Sequence, residues 1–308
     1  MRFLVTGGAG FLGAALANRL VADGHQVRVI DDLSAGDRAR LDGRVLFTRG
    51  DVADRPKLWT VLQDVDCVCH LAARVQVSES ILYPREYNDV NVGGTVSVME
   101  AMRDAGVQRV VFTSSGAVYG EQAHQPVQEN QRPNPQSPYA VSKLAAEYYV
   151  RTIGALWGIE TVILRVFNAY GPDQPLPVSH PPVVPRFLNQ ALGGGSLVIF
   201  GGGGQTRDFV YVDDVVAAIV AATTASDVDR RIINVGSGQE TSINDLANLV
   251  SQVTDRGVEV LHSPAESGGV SRLRADISAA RQLLAFTPQV DLEQGLRLTL
   301  AHDARFER

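Results

Sequence analysis

Only two cysteines, Cys67 and Cys69, occur in the 308 residues, and they alternate on one short apolar run. Two thiols cannot build a zinc cage, and alternate strand residues share a face. The pair is therefore expected to be reduced and buried, with neither a disulfide framework nor a metal site. No stretch approaches 18 uninterrupted apolar residues, which excludes an ordinary membrane-spanning helix. The opening MRFLVTGGAG has no charged and apolar leader pattern and runs straight into a strand and turn, so a cytoplasmic protein is expected. Basic charge is not in surplus: a net charge of -6 argues against a nucleic-acid or membrane surface, and an anionic ligand would need locally placed cations. Repeats, low-complexity tracts and charged linkers are also missing. The remaining composition, 45% hydrophobic, supports one large core with a smaller lobe.

Short β-branched runs alternate with helix-period segments. The runs are FLVTG (3–7), VRVID (27–31), VLFTRGD (45–51), VDCVCHLAA (65–73), RVVFTSS (109–115) and TVILRVFN (161–168). This rhythm predicts an α/β fold, a Rossmann-like doubly wound parallel sheet covered by helices on both faces. It lapses around 171–185 and 193–204, returns over 208–235 and lapses again. The expected division is a dinucleotide-binding part, 1–170 with 205–236 returning to it, and a smaller α/β substrate lobe from 171–204 and 237–308.

Directly after the first run stands Gly7-Gly8-Ala9-Gly10-Phe11-Leu12-Gly13, spaced G-x-x-G-x-x-G and opening an amphipathic helix. Glycines here permit a tight turn and close approach of backbone to a pyrophosphate, and the helix N-terminus favours the phosphate charge. Asp31 and Asp32 end the second run, where an acid accepts hydrogen bonds from the adenosine ribose. An acid also repels a 2′-phosphate, and no Arg or Lys follows immediately, so NAD is favoured over NADP. Asp51 closes the third run, where its side chain and the next amide, of Val52, would meet the adenine; a plain turn-forming Asp is the competing reading.

SPYAVSK, 137–143, places Tyr139 and Lys143 four residues apart on one helical face. The ammonium, with the positive ring of an oxidised nicotinamide, would stabilise a phenolate and make Tyr139 a general base. Upstream, Ser115 ends the run on the carboxyl edge of the predicted sheet, where its hydroxyl could bridge the tyrosine and a substrate oxygen.

These residues resemble the extended short-chain dehydrogenase/reductases, and within them the nucleotide-sugar epimerases of the UDP-glucose 4-epimerase type. The resemblance runs through TGGAGFLG, VIDDLS, HLAA (70–73), NVGGT (91–95), SSGAVYG, SPYAVSK, RVFNAYGP (165–172), GQTRDFVYVDD (204–214), NVGSG (234–238) and ADIS (275–278). It implies a catalytic set of Ser115, Tyr139 and Lys143. It implies NAD held by Gly7, Gly10, Phe11, Leu12, Gly13, Asp31, Asp32, Asp51, Val52, Leu71, Ala72, Ala73, Asn91, Tyr139 and Lys143. Asn91 would help hold the nicotinamide half, or cap a helix. Besides Ser115 and Tyr139, the substrate would meet Asn168 and the phosphate-binding Arg207. The competing roles are a strand-end cap for Asn168 and a surface ion pair with Asp208 for Arg207.

The implied reaction is reversible C4 epimerisation of a nucleotide sugar through a 4-keto intermediate with tightly bound NAD. Related dehydratases and decarboxylases carry an acid just after the strand-end hydroxyl run; here Ser115-Gly116-Ala117 has none. Asn168 and Gly171-Pro172-Asp173-Gln174-Pro175, which lacks an Arg, favour a neutral hexose over a uronate. UDP-glucose/UDP-galactose is preferred, with UDP-N-acetylhexosamines and UDP-glucuronate as alternatives, and Leu273 lies near a position that gates the sugar's 2-substituent. Relatives carry an Arg where this chain has Glu266, so Arg272 or Arg274 would have to supply that charge, or the nucleotide differs. The rival functions are an NAD(P)H-dependent 4-ketosugar reductase and a non-enzymatic NAD-binding scaffold. A homodimer is expected through the tyrosine-bearing helix and its neighbour, using the stretch Leu144 to Tyr148.

Overall fold

A computed structural model describes residues 1–264 and 269–306. Its strands are β1 Arg2–Thr6, β2 Gln26–Asp31, β3 Leu46–Arg49, β4 Cys67–His70, β5 Arg109–Ser115, β6 Glu160–Val166, β7 Asn168–Tyr170, β8 Leu197–Phe200, β9 Thr206–Arg207, β10 Phe209–Tyr211, β11 Arg231–Val235, β12 Thr241–Ser242 and β13 Val260–Ser263. The helices are α1 Phe11–Ala22, α2 Arg55–Leu62, α3 Val77–Leu82, α4 Pro84–Asn88, α5 Thr95–Ala105, α6 Pro138–Trp157, α7 Val183–Leu192, α8 Val212–Thr224, α9 Ile243–Val253, α10 Ser278–Leu284 and α11 Leu292–His302.

Seven parallel strands form the main sheet in the order β11-β6-β5-β4-β1-β2-β3. The Rossmann-like sheet inferred from the apolar runs is thus present. Such strands are buried on both faces, which is why they read as near-continuous Val, Ile, Leu and Cys. Two cores result: one joins β1 and β5 to α1, α8 and the C-terminal elements through Leu16, Val111 and Ile219; the other joins β4 and β5 to α2, α5 and α6 through Leu58, Val98 and Val150. Cys67 and Cys69 are buried free thiols, and burial beside Cys67 pushes the Cys69 thiol up.

After β1 the chain winds outward to β2 and β3, and after β4 it winds the other way to β5 and β6. The carboxyl ends of β1 and β4 therefore border the crevice where strand order reverses, the place where open α/β sheets bind ligands. The run predicted as one strand over 161–168 is two: it breaks at Phe167, whose amide bonds Val235 O at 2.9 Å, and resumes as β7 in a separate parallel ladder with β10. β9 pairs with β12 and β8 with β13, building the small ladders beside the main sheet.

Candidate active site

The glycine turn is built by exclusion. Gly7 has φ +65°, and a Cβ there would lie 2.7 Å from the Ala72 backbone; a Cβ on Gly13 would lie 2.1 Å from Gly7 O. Both positions need a bare backbone, the first also for its left-handed conformation. The N-terminus of α1 has no side-chain cap at Gly10, so the first-turn amides of Phe11 and Leu12 have no intrahelical partner and suit a pyrophosphate. Asp31 braces this turn: its Oδ2 accepts from Ala9 N at 3.0 Å and its Oδ1 from Leu33 N at 2.8 Å. Asp32 accepts from Ser34 N and Asp51 from Ala53 N, both 2.8 Å, and both acids are exposed at strand ends. Val52 is buried against Gly94, and Leu71, Ala72 and Ala73 follow β4 beside Gly7.

Thr6 and His70 hold that edge together. Thr6 Oγ1 accepts from Leu71 N and Ala72 N, both 3.2 Å, and lies 2.6 Å from His70 Nδ1. Thr95 gives its hydroxyl proton to Asn91 O at 2.6 Å, so His70 Nε2, 2.9 Å away, donates to Thr95 and Nδ1 accepts from Thr6. Burial pushes the imidazole down to about 3, helped by the Lys143 charge, so His70 is a neutral link. Asn91 lies in a π-helical turn, Asp89–Gly94. Its amide accepts from Arg74 N at 2.8 Å and donates to Arg74 O at 3.0 Å and Ser142 Oγ at 2.9 Å. The side chain is neither a helix cap nor free for a ligand: it clamps the segment after β4 to α6.

Helix α6 starts where the sequence signals it. Ser137 Oγ accepts from Ala140 N at 3.2 Å, Pro138 fills the first turn, and Gly158 in a left-handed conformation ends the helix. Tyr139 is 9% exposed, and the Ser115 hydroxyl, whose Oγ accepts from Ala117 N at 3.1 Å, works against the effect of burial on its phenol. Lys143 is 3% exposed, with Nζ 4.5 Å from the Phe112 ring centroid. Burial lowers its ammonium to about 7 against the opposing pull of Glu147. The expectation that a cation would draw the phenol down needs correcting for the protein's own groups. Burial raises the Tyr139 phenol, and Ser115 is the opposing influence.

Just beyond the carboxyl end of β6, Asn168 opens β7, its backbone N–H bonded to Asp208 O at 3.0 Å. Arg207 makes no ion pair with Asp208. Asp208 is fully buried and accepts from Ser237 N (2.6 Å), Ser237 Oγ (2.7 Å), Gly238 N (2.9 Å) and Ala275 N (3.0 Å). Among the described residues Arg207 has no carboxylate at ion-pair distance; it donates to Thr206 O at 2.7 Å, and burial lowers its guanidinium. Arg272 is committed to Glu240 by two 2.7 Å bonds, whereas Arg274 Nε is buried without a partner. Glu266 lies outside the described residues. Leu273 is packed into the core. The stretch Leu144 to Tyr148 is not one exposed face: Ala146 and Glu147 are interior, and Tyr148 is outside.

Glu147 and Arg165 were not anticipated as part of the site. Glu147 falls four residues after Lys143 and eight after Tyr139, so helical periodicity already placed all three on one face.

The sequence profile of the NAD dependent epimerase/dehydratase family matches residues 3–236. The chain belongs to this family. It is 39% identical over 307 residues to the UDP-glucose 4-epimerase of Mycolicibacterium smegmatis, covering 97% of each chain. Its structure is similar to that of the Thermotoga maritima UDP-glucose 4-epimerase solved with UDP-glucose, with TM-score 0.94, 34% identity and 98% of each chain covered. It is also similar to the UDP-glucuronic acid 4-epimerase of Bacillus cereus in complex with UDP-glucuronic acid and NAD, with TM-score 0.91, 32% identity and 100% of each chain covered. In this chain Ser115 is followed by Gly116 rather than an acid, and a Cβ on Gly116 would lie 3.2 Å from the Phe167 ring.

Proposed function

We propose that the protein is an NAD-dependent UDP-sugar 4-epimerase that interconverts UDP-glucose and UDP-galactose. The observation that carries this reading is the placement of Tyr139 and Lys143, both buried one turn apart on α6, with Ser115 at the carboxyl end of β5, beside the Gly7–Ala72 approach. The bare turn, the uncapped amides of α1 and the Asp31 carboxylate fit a dinucleotide without a 2′-phosphate. Bound there, NAD supplies a reversible hydride acceptor and the positive charge that lowers the Tyr139 phenol.

Tyr139 takes the proton of the sugar 4-hydroxyl at its phenolic oxygen and returns it to that same sugar oxygen after the 4-keto sugar has turned its opposite face toward the hydride. Ser115 holds the substrate oxygen against that phenol. Lys143 orients the cofactor ribose and keeps positive charge beside the base. Arg207 and Arg274 are the cations for the diphosphate, with Asn168 on the sugar side; Arg272 is drawn off by Glu240. The dinucleotide part, 1–170 with 205–236, carries the chemistry, and 171–204 with 237–308 forms the sugar lobe. Exposed Ile81, Leu82, Val141 and Tyr148 on α3 and α6 support a homodimer through this face; monomeric native protein by light scattering would refute the dimer, and an Ile81→Glu variant that stays dimeric would refute the face. A cytoplasmic location, with supplies of nucleotide sugar and NAD at hand, completes the reading.

The test is to add UDP-galactose to purified protein without free nicotinamide and follow UDP-glucose. Turnover is expected in the native chain and a loss of about 10²–10⁴-fold in Tyr139→Phe with its NAD retained. Turnover only with added NADPH, or a fully active Tyr139→Phe, would overturn the proposal. A parallel panel of UDP-GlcNAc, UDP-glucuronate and dTDP-glucose separates the sugar and base alternatives.

A further inference from the structure

Behind Lys143 lies an ion pair that the reaction just described leaves without a role. Glu147 and Arg165 have side chains 3% and 2% exposed, joined by bonds of 2.9 Å (Nε to Oε1) and 2.7 Å (NH2 to Oε2). Ser114, the neighbour of Ser115, also donates to Oε1 at 2.5 Å. The Arg165 guanidinium lies 4.5 Å from the Tyr119 ring centroid, and the Tyr119 hydroxyl donates to Asn234 at 2.7 Å. One carboxylate therefore joins α6, the end of β5, and β6. A buried pair of this kind adds little stability over an apolar replacement, so its retention calls for another reason.

We propose that Glu147 is a positioning residue: it fixes the strand end that carries Ser115 and places the negative charge that faces the Lys143 ammonium. The proposal rests on Lys143 serving the epimerase site. The groups facing Lys143 are Tyr139 and Glu147 on its own helix, neutral His70 on β4, and the Phe112 ring on β5, with Arg165 of β6 behind Glu147. Glu147 is the sole anion in that set. Arg165 binds it from the side away from the helix, which leaves the carboxylate to offset the burial of the lysine.

The chain contains two lysines, Lys57 and Lys143, so protein labelled with ¹³C-lysine shows two ε-carbon signals. Lys57, exposed and paired with Asp54, is the internal control. In holoenzyme carrying Glu147→Gln with Arg165→Met, which removes both charges together, the Lys143 midpoint should fall by about one pH unit while Lys57 stays put. The alkaline limb of kcat should move with it, lowering kcat about tenfold above both midpoints. KM for UDP-galactose should not change, and Glu147→Asp should restore most of the shift. Native midpoints and limb in the folded double variant would overturn the proposal. So would failure of that variant to fold, because the pair would then be a folding element. The NMR readout needs no turnover, so a shifted Lys143 in a chain inactive on UDP-galactose would sink the epimerase reading, whereas native midpoints in a double variant that turns over UDP-galactose would sink this proposal alone.

Discussion

Replacing Asp208 by Asn changes one atom of a carboxylate that four donors converge on. Oδ1 takes the amide and hydroxyl of Ser237, and Oδ2 takes the amides of Gly238 and Ala275. Whichever way the new amide is turned, its NH2 faces at least one backbone N–H. The Ser237 hydroxyl can reverse and accept, but the backbone amides cannot. One orphaned buried donor costs about 1–3 kcal/mol, and the new NH2 group adds its own unmet hydrogen. The expected loss is about 3 kcal/mol, which for a chain of 308 residues lowers Tm by roughly 5 °C. Because Asp208 anchors the link between β9 and β10, Arg207 should drift with it and KM for the nucleotide sugar should rise more than kcat falls. Calorimetry beside steady-state kinetics would show both. Ser237→Ala, which loses the bond to Oδ1 and the one its Oγ accepts from the solvent-exposed Gln239 N at 3.1 Å, leaves no buried amide orphaned and should cost about 1 kcal/mol. A Tm within about 2 °C of native for Asp208→Asn, or a greater loss for Ser237→Ala, would refute this account.

Three other outcomes follow from the geometry. Gly13→Ala should displace the Gly7 carbonyl and strip bound NAD, seen as a drop in cofactor released on heat denaturation; full retention would contradict the cradle. Arg207→Ala should raise KM for UDP-galactose about 10–100-fold with kcat changed little, as expected for loss of a charged bond of about 1.5–3 kcal/mol. His70 sits in the fold at about 3 against an ordinary 6.5, so the unfolded chain binds its proton first as pH falls. Its contribution is whole above 6.5 and is lost downward, about 2 kcal/mol by pH 5. Lys143, at about 7 in the fold against 10.5, adds slope only between those values, where stability rises with pH. His70→Gln should therefore flatten the Tm profile between pH 7 and 5, and an unchanged slope would rule out the histidine as its source.

The parts of the site that follow from spacing were legible. G-x-x-G-x-x-G after a β-branched run, and Tyr and Lys four apart after Ser-Pro, lead directly to the turn and helix observed. What escaped depends on tertiary partners. Asn91 could be read as a ligand contact or a helix cap, because nothing local shows that Arg74 and Ser142 use up its amide. The Arg207–Asp208 pairing failed for a strand reason: neighbouring residues point to opposite sides, and Asp208 enters the interior. The role of the protein's own charges at Tyr139 was also hidden, since burial competes with an ammonium and only the packed structure says which wins. The break at Phe167 went unseen because a run of apolar residues carries no mark of which sheet each part joins.

That break has a consequence for redesign. Val166 is in register with Ser115, while Asn168, two residues on, is in register with Phe209 beside Arg207 and Asp208. Phe167 couples the two ladders, seated against Gly116 on one side and tied to Val235 on the other. Attempts to retarget sugar choice by grafting a foreign β7–β10 segment will transmit any change of pitch straight to the proton-handling serine, so the graft boundary belongs beyond Tyr170, with Phe167 and Gly116 exchanged only as a unit.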